Sequence, residues 1–239
     1  MEIERKSEAK SKSLVLLSGG LDSATCAMLA CRDVGAEHVL ALTLFYGQKH
    51  AKEIEAAQKI VARLGIREHR MEQLPNIFTG GGSTLMDPDR PNPRTTYEAL
   101  LQSEGVSPAY VPFRNANFLS VATAVALVHE ADTIYFGAHA GDARRWAYPD
   151  CTPEFNGAMA NAIYVGSYHK VRLVTPLQWM SKREVVALGR QIGTPFELTW
   201  SCYNGREKSC GECPTCVERL RAFAGNGWTD PLEYEREVR

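Results

Sequence analysis

The apolar run Leu14-Val15-Leu16-Leu17 leads straight into Ser18-Gly19-Gly20, and a helix-like stretch follows from about Asp22 to Cys31. A short apolar run has no diagnostic period, but glycines at its exit favour a buried strand. Val39 to Phe45 reads as a second buried strand. Between His50 and Leu64, residues Ile54, Ala57, Ile60, Val61 and Leu64 fall on one helical stripe. A poorer strand near Glu68 to Met71 comes next. Strands alternating with helices predict an open, mostly parallel α/β sheet with helices on both faces.

The remaining elements are less regular. Residues 79–94 are rich in Gly, Pro and Asp and read as a surface excursion. A helix is expected from about Ala116 to His129, a strand at Thr133 to Phe136, and a loop from Gly137 to Asp150. Pro153 suits the first turn of a further helix. Ser181 and Glu184 have capping-box spacing and start a helix running to about Ile192. A cysteine knuckle then leads into a helix from about Pro214 to Phe223. The predicted division is a flexible lead-in over 1–13, a nucleotide and substrate domain over 14–198, and a C-terminal metal-binding lobe with its tail over 199–239.

Formal net charge is −1, so no broad positive field gathers nucleic acid or anionic membrane, and no nucleic-acid partner is expected. The charged first 13 residues lack the apolar core of a secretory signal. No stretch approaches the roughly 20 apolar residues of a membrane helix. A cytoplasmic location is the expectation.

Ser18-Gly19-Gly20-Leu21-Asp22-Ser23 sits where the first strand turns into a helix. That junction aims backbone N–H groups and the positive helix end at one spot, suiting a phosphate. The glycines allow close approach and the serines add donors. Asp22 fits beside a phosphate only with a divalent cation between them. The chain has neither the Walker nor the dinucleotide glycine pattern. The alternative is a plain Gly-Gly turn followed by a helix cap.

Four of the seven cysteines, Cys202, Cys210, Cys213 and Cys216, crowd into 15 positions. This crowding suggests a metal site in a reducing compartment rather than a disulfide framework. Four soft ligands suit a structural zinc. An iron–sulfur cluster and a redox-active cysteine pair are the rivals.

The phosphate loop resembles that of the ATP pyrophosphatases, which form adenylates. Together with Val111-Pro112-Phe113-Arg114-Asn115, Tyr148-Pro149-Asp150-Cys151, Thr199-Trp200-Ser201-Cys202-Tyr203 and the cysteine knuckle with Arg219, it resembles the 7-cyano-7-deazaguanine synthases. The resemblance runs from about Leu14 to Phe223. It implies an adenine nucleotide alpha hydrolase-like fold and conversion of 7-carboxy-7-deazaguanine and ammonia into the nitrile, with ATP and Mg²⁺. It places ATP on Leu17, Ser18, Gly19, Gly20, Leu21, Asp22, Ser23 and Tyr46. It gives Asp22, Lys182 and Arg114 to catalysis and the substrate to Asn115, Gly137, His139, Tyr148 and Asp150.

Several of these residues have plainer readings. Lys182 could be a solvated lysine in a helix's first turn, and Arg114, Asn115 and Asp150 could be helix caps. Cys151 reads as a small buried apolar residue rather than a nucleophile. Trp146-Ala147 and Thr152 depart from the residues that commonly flank Tyr-Pro-Asp-Cys, which bears on the acceptor more than on the ATP chemistry. A protein amine as acceptor, a tRNA-thiolating activity, a non-catalytic scaffold and a homodimer stay open.

Overall fold

The computed structural model describes residues 11–48, 52–87, 89–92, 106–204 and 207–235. Its five strands are β1 (Ser13–Leu16), β2 (Val39–Phe45), β3 (Glu68–Gln73), β4 (Thr133–Tyr135) and β5 (Arg172–Val174). They form one wholly parallel sheet in the order β3-β2-β1-β4-β5. The first strand of the chain is therefore the central strand of the sheet. The order reverses at β1, and in such sheets the crevice beyond the strands' carboxyl ends at the reversal is where ligands bind.

Alternation along the strands sorts the core into two layers. Val15, Val39, Ala41 and Tyr135 face α1 (Leu21–Val34) and α2 (Lys52–Leu64). Leu14, Leu16, Leu40, Leu42, Leu44 and Ile134 face the other way, against α3 (Arg114–Val128). The short α4 (Ala140–Ala143) lies in the loop after β4, and α5 (Pro153–Gly166) shares the α3 layer through Ile163. Two further helices, α6 (Lys182–Ile192) and α7 (Pro214–Gly225), pack on the α1 side through Val185, Val186, Ala222 and Phe223. Both faces of the sheet are thus covered. No helix among the described residues is long and apolar enough to cross a membrane.

Several boundaries differ from those read in the sequence. β1 begins at Ser13, whose side chain is buried, so that residue belongs to the sheet and not to the lead-in. Leu17 lies just past the strand, with its amide on the Leu42 carbonyl at 2.9 Å. α3 starts at Arg114 rather than near Ala116, because Phe113 takes a left-handed conformation (φ 54°) that sets the helix entry. The loop after β4 contains α4 and two short 3₁₀ turns. Of the helix expected from His50, the first two residues lie outside the described residues, as do residues 88, 93 and 94 of the Gly/Pro-rich excursion.

Helix ends follow the local sequence. Ser181 and Glu184 form the full capping box of α6, and Thr152 caps α5 by accepting from the Phe155 amide. The segment from 199 onward shares its core with the rest through α7. Arg219, 1% exposed, anchors that helix with Nε at 2.6 Å and Nη2 at 2.9 Å from the Asp230 carboxylate. Nη1 donates to Thr199 Oγ1 at 2.6 Å, and Nη2 also donates to the Phe196 carbonyl at 3.1 Å. Removing one partner of such a pair strands a buried charge. Asp230→Ala is expected to lower unfolding stability by about 3–5 kcal/mol, measured as a shift in the urea transition at constant slope.

Candidate active site

The turn after β1 is shaped by a close backbone approach. Gly19 has φ 89°, and a Cβ there would lie 2.1 Å from the Glu53 carbonyl oxygen of α2. Only glycine satisfies both demands. The loop is fixed further by Ser18 and Ser23, whose hydroxyls lie 3.1 Å apart, and by the Trp200 amide on the Gly19 carbonyl at 2.9 Å. Gly20 caps α1 with no side-chain hydrogen bond, which leaves N–H groups of the first turn for a ligand. The exit of β4 presses on the same turn: a Cβ at Gly137 would lie 3.3 Å from the Ser23 amide nitrogen.

A cleft of about 260 Å³ opens between these two strand ends. Leu17, Ser18, Gly20, Asp22 and Ser23 line one side, with Tyr46, Arg114, Asn115, Gly137, Tyr148, Asp150 and Lys182 around the rest. Asp22 and Asp150, 128 positions apart in sequence, thus share one cavity. Three of the residues expected at the site do not line it. Gly19 packs towards α2, the Leu21 side chain is 1% exposed in the core, and His139 is wholly buried.

Lys182, from the first turn of α6, places Nζ 2.6 Å from Asp22 Oδ2 and 3.1 Å from His139 Nε2. Burial alone would depress the lysine, but Asp22, Glu218 and Asp142 outweigh it and hold the ammonium firmly protonated. Burial likewise pulls the Asp22 carboxyl up, and the charge of Lys182 with its hydrogen bond turns the balance downwards. Asp22 Oδ1 is buried and has no hydrogen-bond partner. His139 works from behind: its Nδ1 accepts from the Gly141 amide at 3.0 Å, and Nε2 lies 3.3 Å from Asp142 Oδ2. His139, Asp142 and Glu218 bring ligand atoms within 4.8 Å of one another, but the Lys182 ammonium already stands beside that group.

The opposite wall is built on α3. The Asn115 amide donates to Asp150 Oδ2 at 3.0 Å, and its side chain donates to the Asp150 carbonyl at 3.1 Å. Burial raises the Asp150 carboxyl, opposed by that amide and by Arg114. Arg114 donates to the Tyr46 hydroxyl at 3.0 Å and sits 5.3 Å from the centroids of the Tyr46 and Phe118 rings. The Tyr148 hydroxyl meets Tyr203 at 3.1 Å and Ser107 at 3.0 Å. Cys151 also lines the cleft, but burial pushes its thiol well above the usual range. It is not poised as a thiolate nucleophile.

Sequence reasoning missed three carboxylates of the cleft, Glu53, Asp142 and Glu218. Glu218 follows the knuckle cysteines on α7, Glu53 lies on an amphipathic helix and Asp142 in the loop after β4. None belongs to a distinctive motif, so only their place in space singles them out.

The four knuckle cysteines are each 1% exposed, and their sulfurs lie within 4.8 Å of one another. Zinc–sulfur bonds of about 2.3 Å arranged tetrahedrally require sulfurs somewhat under 4 Å apart, and Cys210 and Cys216 stand at 4.0 Å. Amides of Asn204 and Cys210 point at the Cys202 sulfur, both at 3.4 Å, and that of Cys213 at the Cys210 sulfur at 3.3 Å. Such donors offset thiolate charge and orient the ligands. This is a structural zinc site, with every ligand a cysteine and no position for a substrate.

A parallel sheet ordered about a central β1, with this loop at its reversal, defines a PP-loop ATP pyrophosphatase. The chain belongs to the family described as "Queuosine biosynthesis protein QueC", whose model matches residues 12–227. It is 43% identical to a 7-cyano-7-deazaguanine synthase of Koribacter versatilis over 225 residues, covering 93% of each chain. It is 42% identical to another of Marinomonas sp., covering 94% of this chain and 98% of the relative. Among solved structures it resembles the U34-tRNA thiolase NcsA of Methanococcus maripaludis with its [4Fe-4S] cluster, at TM-score 0.50 and 18% identity, over 77% of this chain and 57% of that one. That last likeness concerns the fold alone.

Zinc binding and folding are coupled wherever a segment has little core of its own. Elemental analysis of purified protein should give one zinc per chain, and Cys202→Ser should reduce folded yield and metal content together. Iron with visible absorption would contradict the zinc assignment.

Proposed function

We propose that this chain converts 7-carboxy-7-deazaguanine and ammonia to 7-cyano-7-deazaguanine, consuming ATP in an adenylating carbon–nitrogen ligation. The observation that carries the reading is the Asp22–Lys182 pair at the phosphate loop, in one cleft with the Asn115–Asp150 pair. One end offers phosphate donors and the other a polar edge for a flat heterocycle. Family membership over nearly the whole chain supports the same reading.

Two adenylations account for the chemistry. The substrate carboxylate attacks the α-phosphorus of ATP and pyrophosphate leaves. Ammonia then attacks the acyl carbon, AMP departs with the bonding pair, and nitrogen loses a proton to give the amide. The amide oxygen attacks a second ATP in the same way. Loss of two N–H protons and of AMP leaves the nitrile. The chain's own part is to hold two anions in line and exclude water.

In this reading the free N–H groups at the start of α1, with Ser18 and Ser23, hold the departing pyrophosphate. Lys182 neutralises charge developing on it. Asp22 would hold Mg²⁺ through its unpartnered Oδ1, and the ion would screen the phosphate oxygens when bound. Arg114 lies over Tyr46, where it can meet the substrate carboxylate or the α-phosphate. Asp150, held by Asn115, faces the edge of the deazaguanine ring, and Tyr148 flanks it. The buried, protonated Cys151 thiol speaks against sulfur transfer, and ammonia is the acceptor that family membership supports. A cytoplasmic location accords with four reduced metal-binding thiols.

Incubation with ATP, Mg²⁺, ammonia and the deazaguanine acid should yield nitrile, AMP and pyrophosphate, with two ATP used per product and no ADP. Asp22→Asn should cut turnover about 10²-fold at a temperature where the variant is still folded, and should also lower the melting temperature, because the Lys182 ammonium loses its nearest carboxylate. ADP as the main nucleotide, or normal turnover by Asp22→Asn, would reject this mechanism. Cys151→Ser should remain active, whereas a thiol-transfer enzyme would lose its activity.

A further inference from the structure

Glu53 is a cleft carboxylate with no role in the chemistry so far, and unlike Glu218 and Asp142 it does not face the Lys182–His139 group. It sits in the first turn of α2, and the Gly19 contact pins its backbone directly against the phosphate loop. The side chain lines the cleft together with Asp22, Tyr46 and Arg114. Among the described residues its carboxyl is in no hydrogen bond. The charged and titratable groups facing it are Arg114 from α3 and Tyr46 from the exit of β2. On its own helix, Lys52 is turned to Glu55 at 3.6 Å. Across the cavity, Asp22 Oδ2 is paired with Lys182, and Asp150 Oδ2 accepts from the Asn115 amide.

The proposed reaction has a need that Glu53 meets most directly, since Glu218 and Asp142 face the Lys182–His139 group and Asp150 is held by the Asn115 amide. Three protons must leave nitrogen between ammonia and nitrile: one when the amide forms and two when it is dehydrated. Lys182 is held as a cation, Asp22 is locked to it, and the Cys151 thiol is protonated by burial. We infer that Glu53 is the general base of this site, accepting those protons from the attacking ammonia and from the adenylated amide nitrogen. In each transfer an N–H bond breaks towards a Glu53 carboxylate oxygen and its electron pair stays on nitrogen; AMP leaves with the C–O pair once in amide formation and once in dehydration, there with the second of the two protons. The carboxyl returns its proton to solvent through the cleft mouth between steps. This assignment rests on the nitrile-forming reading given above.

Burial raises the Glu53 carboxyl to about 7, with Arg114 opposing. A base of that strength is about half ionised near neutral pH, where acid–base catalysis is most effective. The shift has a consequence for stability. A carboxyl whose folded value lies above its unfolded one weakens the fold as pH rises from about 4.5 towards 7. Replacing it by a neutral isostere removes that cost. Glu53→Gln should therefore melt no lower than the wild type at pH 8, so a loss of activity would not reflect misfolding.

The experiment separates adenylation from nitrogen transfer. Adenylation by the wild type and Glu53→Gln is followed by ATP–pyrophosphate exchange with the deazaguanine acid, and amide and nitrile formation by mass spectrometry across pH 6–9. The wild type should show an acid limb near pH 7 in kcat/KM for ammonia. Glu53→Gln should keep exchange within about threefold yet lose about 10²-fold or more in amide and nitrile formation, with the limb abolished. Glu53→Asp should restore part of the rate and of the limb. Equal loss of exchange and nitrogen transfer in Glu53→Gln would make Glu53 a binding residue and overturn the inference, as would wild-type nitrile formation by that variant. Absence of exchange and nitrile in the wild type would instead defeat the underlying reading.

Discussion

Close approach between main chains organises this molecule more than any side-chain contact does. The turn after β1 lies so near α2 that a single methyl group at Gly19 would overlap the Glu53 carbonyl oxygen. The exit of β4 lies against the start of α1 with little room to spare at Gly137. These two contacts bring the carboxyl ends of neighbouring strands, β1 and β4, within reach of one ligand. The cleft, the exposed amides of α1 and the position of Asp22 all follow from them. Side chains then complete what the backbone has set: Lys182 enters from α6, and Arg114 and Asn115 from α3.

How much of this could be read in advance depends on how local each feature is. The strand–glycine–helix junction and the four-cysteine knuckle are contiguous, and their chemistry is legible in a few residues. β5 was not expected: three residues at the edge of the sheet, Arg172–Val174, leave no periodic trace. α3 starts at Arg114, since the left-handed turn at Phe113 is a conformation that its side chain does not announce. His139 has the look of a pocket residue at a strand exit, yet it is wholly buried and supports Lys182 from behind. Its orientation depends on α4, four residues whose sequence reads as loop. Glu53 and Glu218 were overlooked for a related reason, because charged residues on amphipathic helices ordinarily face water.

The metal-bearing segment is joined to the cleft by more than sequence. α7 begins at the knuckle, with Cys213 as its cap and Cys216 in its first turn. Thr215 and Glu218 of the same helix line the cleft, as does Tyr203 beside Cys202. Phe223 at the far end packs in the main core, and Arg219 fastens the helix to Asp230. A metal outside the cleft can thereby fix the cleft's geometry: it orders the helix that supplies part of the wall and part of the charge around Lys182.

The central place of β1 has a bearing on how the chain is made. Ser13 to Leu16 precede the other strands in the chain, but one of their two neighbours, β4, begins only at Thr133, and Lys182 and Glu218 of the cleft come later still. Contacts over such separations form late, after the entropic cost of closing long loops has been met. A chain that stops short of α7 therefore carries the Ser18–Ser23 turn in full without the walls that enclose it.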